Sequence, residues 1–164
     1  MTEETPSEDE VIYHEAGHAI MGIVKYGGIE KTSIVPRAAR TDELGYTLPK
    51  EDRAQNRESE IVVYCAGPVA GARLLGRDIH PTGRNKDGSP KHGEGDEYDF
   101  REARTLACDA VGKDEMAAYL SPLFQQTQHL IEKHWRVVKA IAHRLLIDKT
   151  LDGDQVKTIM AAKK

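Results

Sequence analysis

The sequence predicts a single, mainly α domain with a small β element. Apolar residues recur at three- and four-residue steps through most of the chain, and two short β-prone runs, "KTSIVP" and "ELGYTLP", interrupt them. The length of 164 residues suits one compact domain and is enough to bury a core without cross-links. We expect residues 1–9 to be a disordered acidic lead and residues 10–164 to form the domain.

The first half of the chain predicts two helices with strands between them. The first helix is expected over residues 8–26, because a Gly-Gly pair ends its apolar periodicity. The two β-prone runs follow, each closed by a proline, and predict a hairpin or an edge pair of strands. The second helix is expected over residues 53–75. Its centre, "CAGPVAGA", has side chains small enough to let another backbone approach closely, and Pro68 should bend or restart the helix.

Residues 77–95 are expected to form a long flexible loop. The segment holds four glycines and two prolines, and a loop of this length in a compact domain is either mobile or functional. His80 and His92 lie within it, and we interpret both as exposed histidines without a role in binding.

The C-terminal half predicts three further helices. The first follows the loop and opens with acidic residues, which suit the positive end of a helix dipole. Ser121 and Pro122 predict the start of a long helix, with the serine as cap and the proline in the first turn. "LDGDQVKTIM" predicts a short last helix capped by Asp152 or Asp154.

The composition excludes several classes of protein. A net charge of −4 argues against a nucleic-acid partner, since phosphate binding needs a basic face. No apolar run approaches the roughly 18 residues of a membrane span, and the acidic start lacks the features of a secretory signal. We therefore expect a cytoplasmic protein in which the two cysteines, Cys65 and Cys108, are buried reduced thiols. The chain has no GxxxxGK[ST] phosphate-binding loop.

The stretch "YHEAGHAIMG" on the first helix has the pattern of a zinc-hydrolase active site. His14 and His18 are four residues apart, so both imidazoles lie on one helical face and can bind one tetrahedral zinc ion. Glu15 lies about 100° around the helix, where it can reach a water bound to that metal. Zinc lowers the pKa of such a water to about 7, and Glu15 would take the proton as general base.

Two histidines require a third protein ligand. A histidine six residues beyond His18 is excluded, because that residue is Val24. Acidic residues supply the alternatives, and spacing alone does not choose among them: Glu58, Glu60, Glu94, Asp96, Glu97 and Asp99.

The order of several short motifs resembles a known family. "YHEAGHAI", "SIVPR", "LGYTLP", "AGPVAGARLLG", "DEYDFREARTLA" and "LLIDKTLDGDQV" follow one another as in the protease domain of the FtsH-type ATP-dependent zinc metalloproteases. The resemblance covers the chain from about residue 10 onward, apart from the 77–95 loop. It implies a helical, zincin-like metalloprotease fold with an edge strand beside the metal.

The resemblance also implies roles for individual residues. The family's third zinc ligand is an aspartate that starts a helix, and Asp99 matches its position. The family's LGYT segment pairs with extended substrate, which here implies substrate binding by Gly45, Tyr46 and Thr47. An exposed strand edge binds peptides through main-chain hydrogen bonds with little sequence preference.

Two departures from the family bear on function. Gly71 and Ala72 replace an acidic pair, which leaves the ligands unaffected. The family's hexameric ATPase and membrane anchor have no counterpart here, so we expect the ATPase to be a separate protein or absent. We therefore predict a zinc endopeptidase for unfolded or flexible proteins, with its oligomeric state undetermined. The alternatives are a zinc hydrolase of small peptides or amides, and a catalytically idle binding or regulatory module.

Overall fold

The computed structural model describes residues 5–38, 43–53 and 55–163, except for the side chain of Glu94. This part of the chain forms six helices and three short strands, which confirms the mainly α fold class. In chain order the elements are α1 (Glu8–Tyr26), β1 (Ile29–Ser33), β2 (Tyr46–Pro49), α2 (Arg57–Leu75), α3 (Glu94–Val111), α4 (Met116–Lys133), α5 (Trp135–Asp148), β3 (Thr150–Asp152) and α6 (Gly153–Ala162). Residues 8 and 9 of the predicted lead belong to α1, and the first four residues lie outside the described part.

Helix α1 begins and ends as its sequence predicts. The hydroxyl of Ser7 accepts a hydrogen bond from the backbone N–H of Glu10, which caps the helix, and the acidic first turn suits the dipole. Gly27 ends the helix in a left-handed conformation, with φ of 77°, which lets its N–H donate to the carbonyl of Ile23.

The three strands form one antiparallel sheet in the order β2-β1-β3. The predicted pairing of the two β-prone runs is confirmed, with Thr32 opposite Thr47 and Ser33 opposite Tyr46. Strand β3 was not predicted; it is only three residues long and pairs with the other side of β1. As a result β2 is an edge strand among the described strands.

The contact between α1 and α2 forms the centre of the domain. A Cβ placed on Gly17 of α1 would lie 2.5 Å from the carbonyl oxygen of Ala66 and 2.7 Å from the Cβ of Ala70, both on α2. The two backbones thus approach closely through small residues, as "CAGPVAGA" predicts. The surrounding core includes Ile20 of α1 and Val62 of α2, each fully buried.

Helix α2 begins later than expected and is not restarted at Pro68. Asn56 caps it by accepting a hydrogen bond from the N–H of Ser59, so the helix starts at Arg57 rather than residue 53. It continues through Pro68 to Leu75 as one element. Packing of the small-residue face against α1 outweighs the backbone hydrogen bond that proline removes.

The predicted helix start at Ser121 and Pro122 is wrong. Helix α4 begins at Met116, so Pro122 lies inside it and Ser121 is not its cap. Leu120, just before the serine, is fully buried, and its packing extends the helix upstream. The expected long helix also ends at Lys133, and α5 begins at Trp135 after a turn at His134.

The last helix and the cysteines agree largely with expectation. Asp152 caps α6 in a capping box, in which its side chain accepts from the N–H of Gln155 and the Gln155 side chain accepts from the N–H of Asp152. Cys65 and Cys108 are free thiols; Cys65 is buried, whereas Cys108 is half-buried. No helix in the described ranges combines the length and apolarity that crossing a bilayer would require.

We predict that Gly17→Ala destabilises the domain by about 1–3 kcal/mol, because the added methyl overlaps α2. Gly71→Ala is the matched control, since the nearest atom to its added Cβ would be the Cγ of Glu10 at an ordinary 3.7 Å. Helix propensity alone favours alanine by up to ~1 kcal/mol at such positions. Urea unfolding of the two variants and the wild type measures the difference, and equal midpoints would contradict the close α1–α2 contact.

Candidate metal centre

Three predicted ligands meet at one point between α1 and α3. The Oδ2 atom of Asp99 lies 2.9 Å from Nε2 of His14 and 3.1 Å from Nε2 of His18, and the two nitrogens are 3.1 Å apart. A tetrahedral zinc site with bonds of about 2.0–2.1 Å has ligand atoms roughly 3.3 Å apart. The three atoms therefore need to move by only a few tenths of an ångström to hold such an ion.

A glycine of α2 leaves open the space that these nitrogens face. A Cβ placed on Gly67 would lie 2.4 Å from Nε2 of His18 and 2.6 Å from Nε2 of His14. These distances are close to the length of a zinc–nitrogen bond, about 2.0–2.1 Å. The two-nitrogen, one-carboxylate donor set and this open space both fit a zinc ion. The small residues of α2 are evident in the sequence, but no local pattern connects Gly67 with the metal ligands.

The outer ring nitrogens of both histidines also have partners. Nδ1–H of His18 donates to the carbonyl oxygen of Val63 on α2, at 2.9 Å, which leaves Nε2 free to coordinate a metal. Nδ1 of His14 lies 3.4 Å from Oδ1 of Asp96. Asp96 was a ligand candidate on sequence grounds, but the structure places it behind His14, where it orients the ring.

A chain of hydroxyls holds the carboxylate of Glu15, which is 5% exposed. The Thr47 hydroxyl donates to Oε2 of Glu15 at 2.7 Å and lies 2.8 Å from the hydroxyl of Thr32 on the neighbouring strand. Since the single proton of Thr47 is used toward Glu15, its oxygen accepts from Thr32. The sheet thus fixes the orientation of the predicted general base.

The two buried carboxyl groups of the site have opposite pKa shifts. Burial raises the pKa of Asp99, but the neighbouring His18 and His14 outweigh burial and hold it well below its usual range. Burial also raises the pKa of Glu15, and here the opposing effects of the histidines and Thr47 do not cancel it. Asp99 is therefore more readily ionised than an ordinary aspartate, which suits a metal ligand, whereas Glu15 is more basic than an ordinary glutamate.

The histidines respond to the same charges. Burial lowers the pKa of His14, but its contacts with Asp96 and Asp99 outweigh burial and raise that pKa well above its ordinary value. For His18, burial again opposes the charge of Asp99, and the pKa is raised. A divalent cation at this point requires neutral imidazoles, so its binding would release protons and supply the positive charge beside Asp99.

The edge strand lies along the same cleft, which has a volume of about 1220 Å³. Gly45, Tyr46 and Thr47 all line it together with the candidate ligands. Gly45 is needed for clearance, because a Cβ there would lie 2.9 Å from the carbonyl oxygen of Ser33 and 3.0 Å from Cγ of Glu15. The Tyr46 ring packs under the guanidinium of Arg37, at 4.7 Å. The Thr47 hydroxyl binds Glu15, and its main chain remains part of the predicted substrate strand.

The remaining acidic candidates have other partners. Glu97 forms ion pairs with His92 and Arg104, Glu60 lies 3.7 Å from Arg53, and Glu58 accepts from the hydroxyl of Tyr119. The side chain of Glu94 lies outside the described part of the structure. Among the described candidates only Asp99 reaches both histidines, as the family resemblance implies.

The interpretation of His92 as an exposed histidine is wrong. Its side chain is only 5% exposed, and the ring packs edge-on against Phe100, with the centroids 5.0 Å apart. His80 is half-buried, and its ring packs against Phe124 at 5.3 Å. Both rings face the core because the segment folds back onto α3 and α4.

The fold and the site define a class of protein: a mainly α domain with a His-His-Asp cluster beside an edge strand. The sequence profile of peptidase family M41 matches residues 1–88, and the chain belongs to this family. The resemblance to FtsH-type protease domains is thereby confirmed.

Individual relatives carry the similarity beyond residue 88. The chain is 26% identical over 91% of its length to the ATP-dependent zinc metalloprotease FtsH 1 of Alkaliphilus metalliredigens, and 27% identical over 92% to FtsH of Rickettsia conorii. A shorter match, 37% identical over 47% of the chain, is to FtsH of Metamycoplasma arthritidis. The chain spans 29%, 28% and 11% of these three relatives, respectively.

We predict that Gly67→Ala abolishes or strongly weakens zinc binding while the domain stays folded. The added methyl would lie at 2.4 and 2.6 Å from the two ring nitrogens, in the space that an ion needs. Isothermal titration with Zn²⁺ measures binding, and circular dichroism measures folding. Gly71→Ala, one helical turn further along α2, should bind zinc as the wild type does. Wild-type affinity in Gly67→Ala would contradict the proposed position of the ion.

Proposed function

We propose that the chain is a zinc-dependent peptidase that cleaves peptide bonds in unfolded or flexible polypeptides. The observation that carries this proposal is the convergence of His14, His18 and Asp99 on one point, with Glu15 held beside it by Thr47. Membership of peptidase family M41 and similarity to proteins named zinc metalloproteases support it.

The three ligands suit zinc more than a harder cation. Two imidazole nitrogens and one carboxylate oxygen are a common protein donor set of catalytic zinc, whereas Mg²⁺ and Ca²⁺ favour oxygen ligands. When bound, zinc lowers the pKa of a coordinated water to about 7 and polarises a substrate carbonyl. The contacts of the outer ring nitrogens with Val63 and Asp96 would hold the two imidazoles in the orientation that this requires.

Glu15 is proposed to transfer the proton of the attacking water. Its raised pKa makes it a better proton acceptor for the attacking water than an ordinary glutamate, and the hydrogen bond from Thr47 fixes its orientation. The same carboxyl group would then deliver that proton to the leaving amine. Because Glu15 is nearly buried, the proton is exchanged with the reactants rather than with bulk solvent.

The substrate is proposed to bind as an additional strand along β2. The strand has β1 on one side only, and its residues line the cleft that contains the candidate ligands. Main-chain pairing of this kind requires an extended peptide and depends little on the sequence of that peptide. Such a segment is available in unfolded or flexible proteins but not within folded domains, and this favours the proposed substrate class.

Supply of substrate by an ATPase is part of the same proposal, because the relatives are named ATP-dependent. An ATPase that unfolds proteins would supply extended segments to β2.

We predict that Glu15→Gln binds zinc like the wild type but cleaves an unfolded protein such as casein at least about 10²-fold more slowly. Glutamine keeps the size of the side chain and can accept from Thr47, but it cannot take the proton. Cleavage is followed on gels with zinc-loaded protein, and zinc content is measured in parallel.

Two controls make this experiment decisive. A chelator should abolish wild-type cleavage, and added Zn²⁺ should restore it. Asp99→Ala should lose both zinc and activity, which separates the roles of ligand and base. If zinc-loaded Glu15→Gln cleaves casein as fast as the wild type, Glu15 is not the base. If the wild type with zinc cleaves neither proteins nor peptides, the chain is an idle binding module.

Substrate class is tested by comparing one protein in two states. We expect the purified chain to cleave a reduced, carboxymethylated protein and to leave its native, disulfide-bonded form intact, because only the first can pair along β2. A panel of dipeptides should be poor substrates, since they are too short to form the strand. Rapid cleavage of the native form, or a clear preference for dipeptides, would contradict the proposed mode of binding.

A further inference from the structure

The segment between α2 and α3 is a hydrogen-bonded hairpin rather than an open loop. The N–H of His80 donates to the carbonyl of Lys91 at 2.9 Å, and the N–H of Asn85 donates to the carbonyl of Ser89 at 2.8 Å. Arg84 and Pro90 form an isolated β-bridge between them. The segment, which we name the 80–91 hairpin, has no counterpart in the family resemblance and is not used by the proposed mechanism.

The residue that follows the hairpin contacts both sides of the candidate ligand Asp99. Nε2–H of His92 donates to Oε2 of Glu97, two residues before Asp99. The ring of His92 packs edge-on against Phe100, the residue after Asp99, and Phe100 is fully buried. One side chain thus bridges the turn of α3 that carries the ligand.

Helix α3 has no side-chain cap of its own to fix the position of this turn. Its N-cap is Gly93, which has no side chain to accept from the first N–H groups, whereas α1, α2 and α6 all have side-chain caps. The position of the first turns of α3 therefore depends on contacts from outside the helix.

A second bridge joins the same glutamate to the hairpin. The guanidinium of Arg104 donates to Oε1 of Glu97 at 2.6 Å and to the carbonyl oxygen of Pro81 at 2.8 Å. Glu97 consequently receives hydrogen bonds from His92 and from Arg104, and Arg104 is itself held by the hairpin. Bonding at both carboxylate oxygens restricts the rotation of Glu97 and ties the start of α3 to the hairpin.

We propose that His92 is a positioning residue for the metal ligand Asp99, acting through Glu97 and Phe100. This inference rests on the proposed zinc function. The His92 contacts keep the first turns of uncapped α3 at the distance from α1 at which Asp99 reaches both histidines. Loss of these contacts lets the start of α3 move, and the affinity for zinc falls although no ligand has changed.

The test compares the same substitution, histidine to phenylalanine, at positions 92 and 80. His92→Phe keeps a ring against Phe100 but removes the bond to Glu97. His80→Phe is the matched control, because the ring of His80 packs on Phe124 of α4 and accepts a hydrogen bond from Thr82 within its own segment. Zinc dissociation constants are measured by competition with a fluorescent chelator, well below the unfolding temperature of each variant.

We expect His92→Phe to raise the zinc dissociation constant about tenfold, the lower range for residues that orient ligands. His80→Phe should keep the wild-type constant. At saturating zinc, His92→Phe should recover kcat with an unchanged KM, since the base and the substrate strand are untouched. If His92 only stabilised the fold, His92→Phe would lower the thermal stability, and its activity would fall equally at limiting and at saturating zinc.

Variants of Glu97 provide an independent measurement if His92→Phe does not fold. Glu97→Gln retains an oxygen acceptor for His92 and should keep most of the zinc affinity, whereas Glu97→Met should lose as much as His92→Phe. An unchanged zinc constant in His92→Phe, or in Glu97→Met, overturns the positioning role while leaving the proposed function intact. Failure of the wild type to bind zinc overturns the proposed function and the inference together.

Discussion

The close contact between α1 and α2 is the constraint on which the rest of this domain depends. At Gly17 the two backbones nearly touch, and at Gly67 the missing side chain leaves a space beside both imidazoles. The same small-residue face of α2 therefore packs the core and makes room for an ion. Because the two functions share one helix face, a larger residue there disturbs stability at one end and metal binding at the other.

Around this pair, separate elements place two buried carboxyl groups in different environments. Asp99 comes from α3 and lies against two imidazoles, which keep it ionised. Glu15 comes from α1 and accepts a hydrogen bond from Thr47 of the sheet, and burial outweighs the opposing charges of the histidines, so its pKa rises. Two acids of one site thus acquire the properties of a ligand and of a base. The division follows from their neighbours rather than from their residue type.

Much of the fold and the site is predictable from local patterns. The cap and left-handed end of α1, the two short strands and the ligand spacing of His14 and His18 are encoded within a few residues of each feature. Asp99 needed the family resemblance, since nothing local distinguishes it from Asp96 or Glu97. The start of α4, the three-residue strand β3 and the buried position of His92 could not be predicted, because tertiary packing against distant residues determines them.

The open edge of β2 has a consequence for the behaviour of the protein in solution. Its outward backbone groups have no strand partner within the described part of the chain, so any extended polypeptide can pair with them, including the same strand of another molecule. The strand is only four residues long and ends in Pro49, which lacks an N–H to donate. Short length and a terminal proline thus restrict self-association at concentrations where a longer, flatter edge would aggregate.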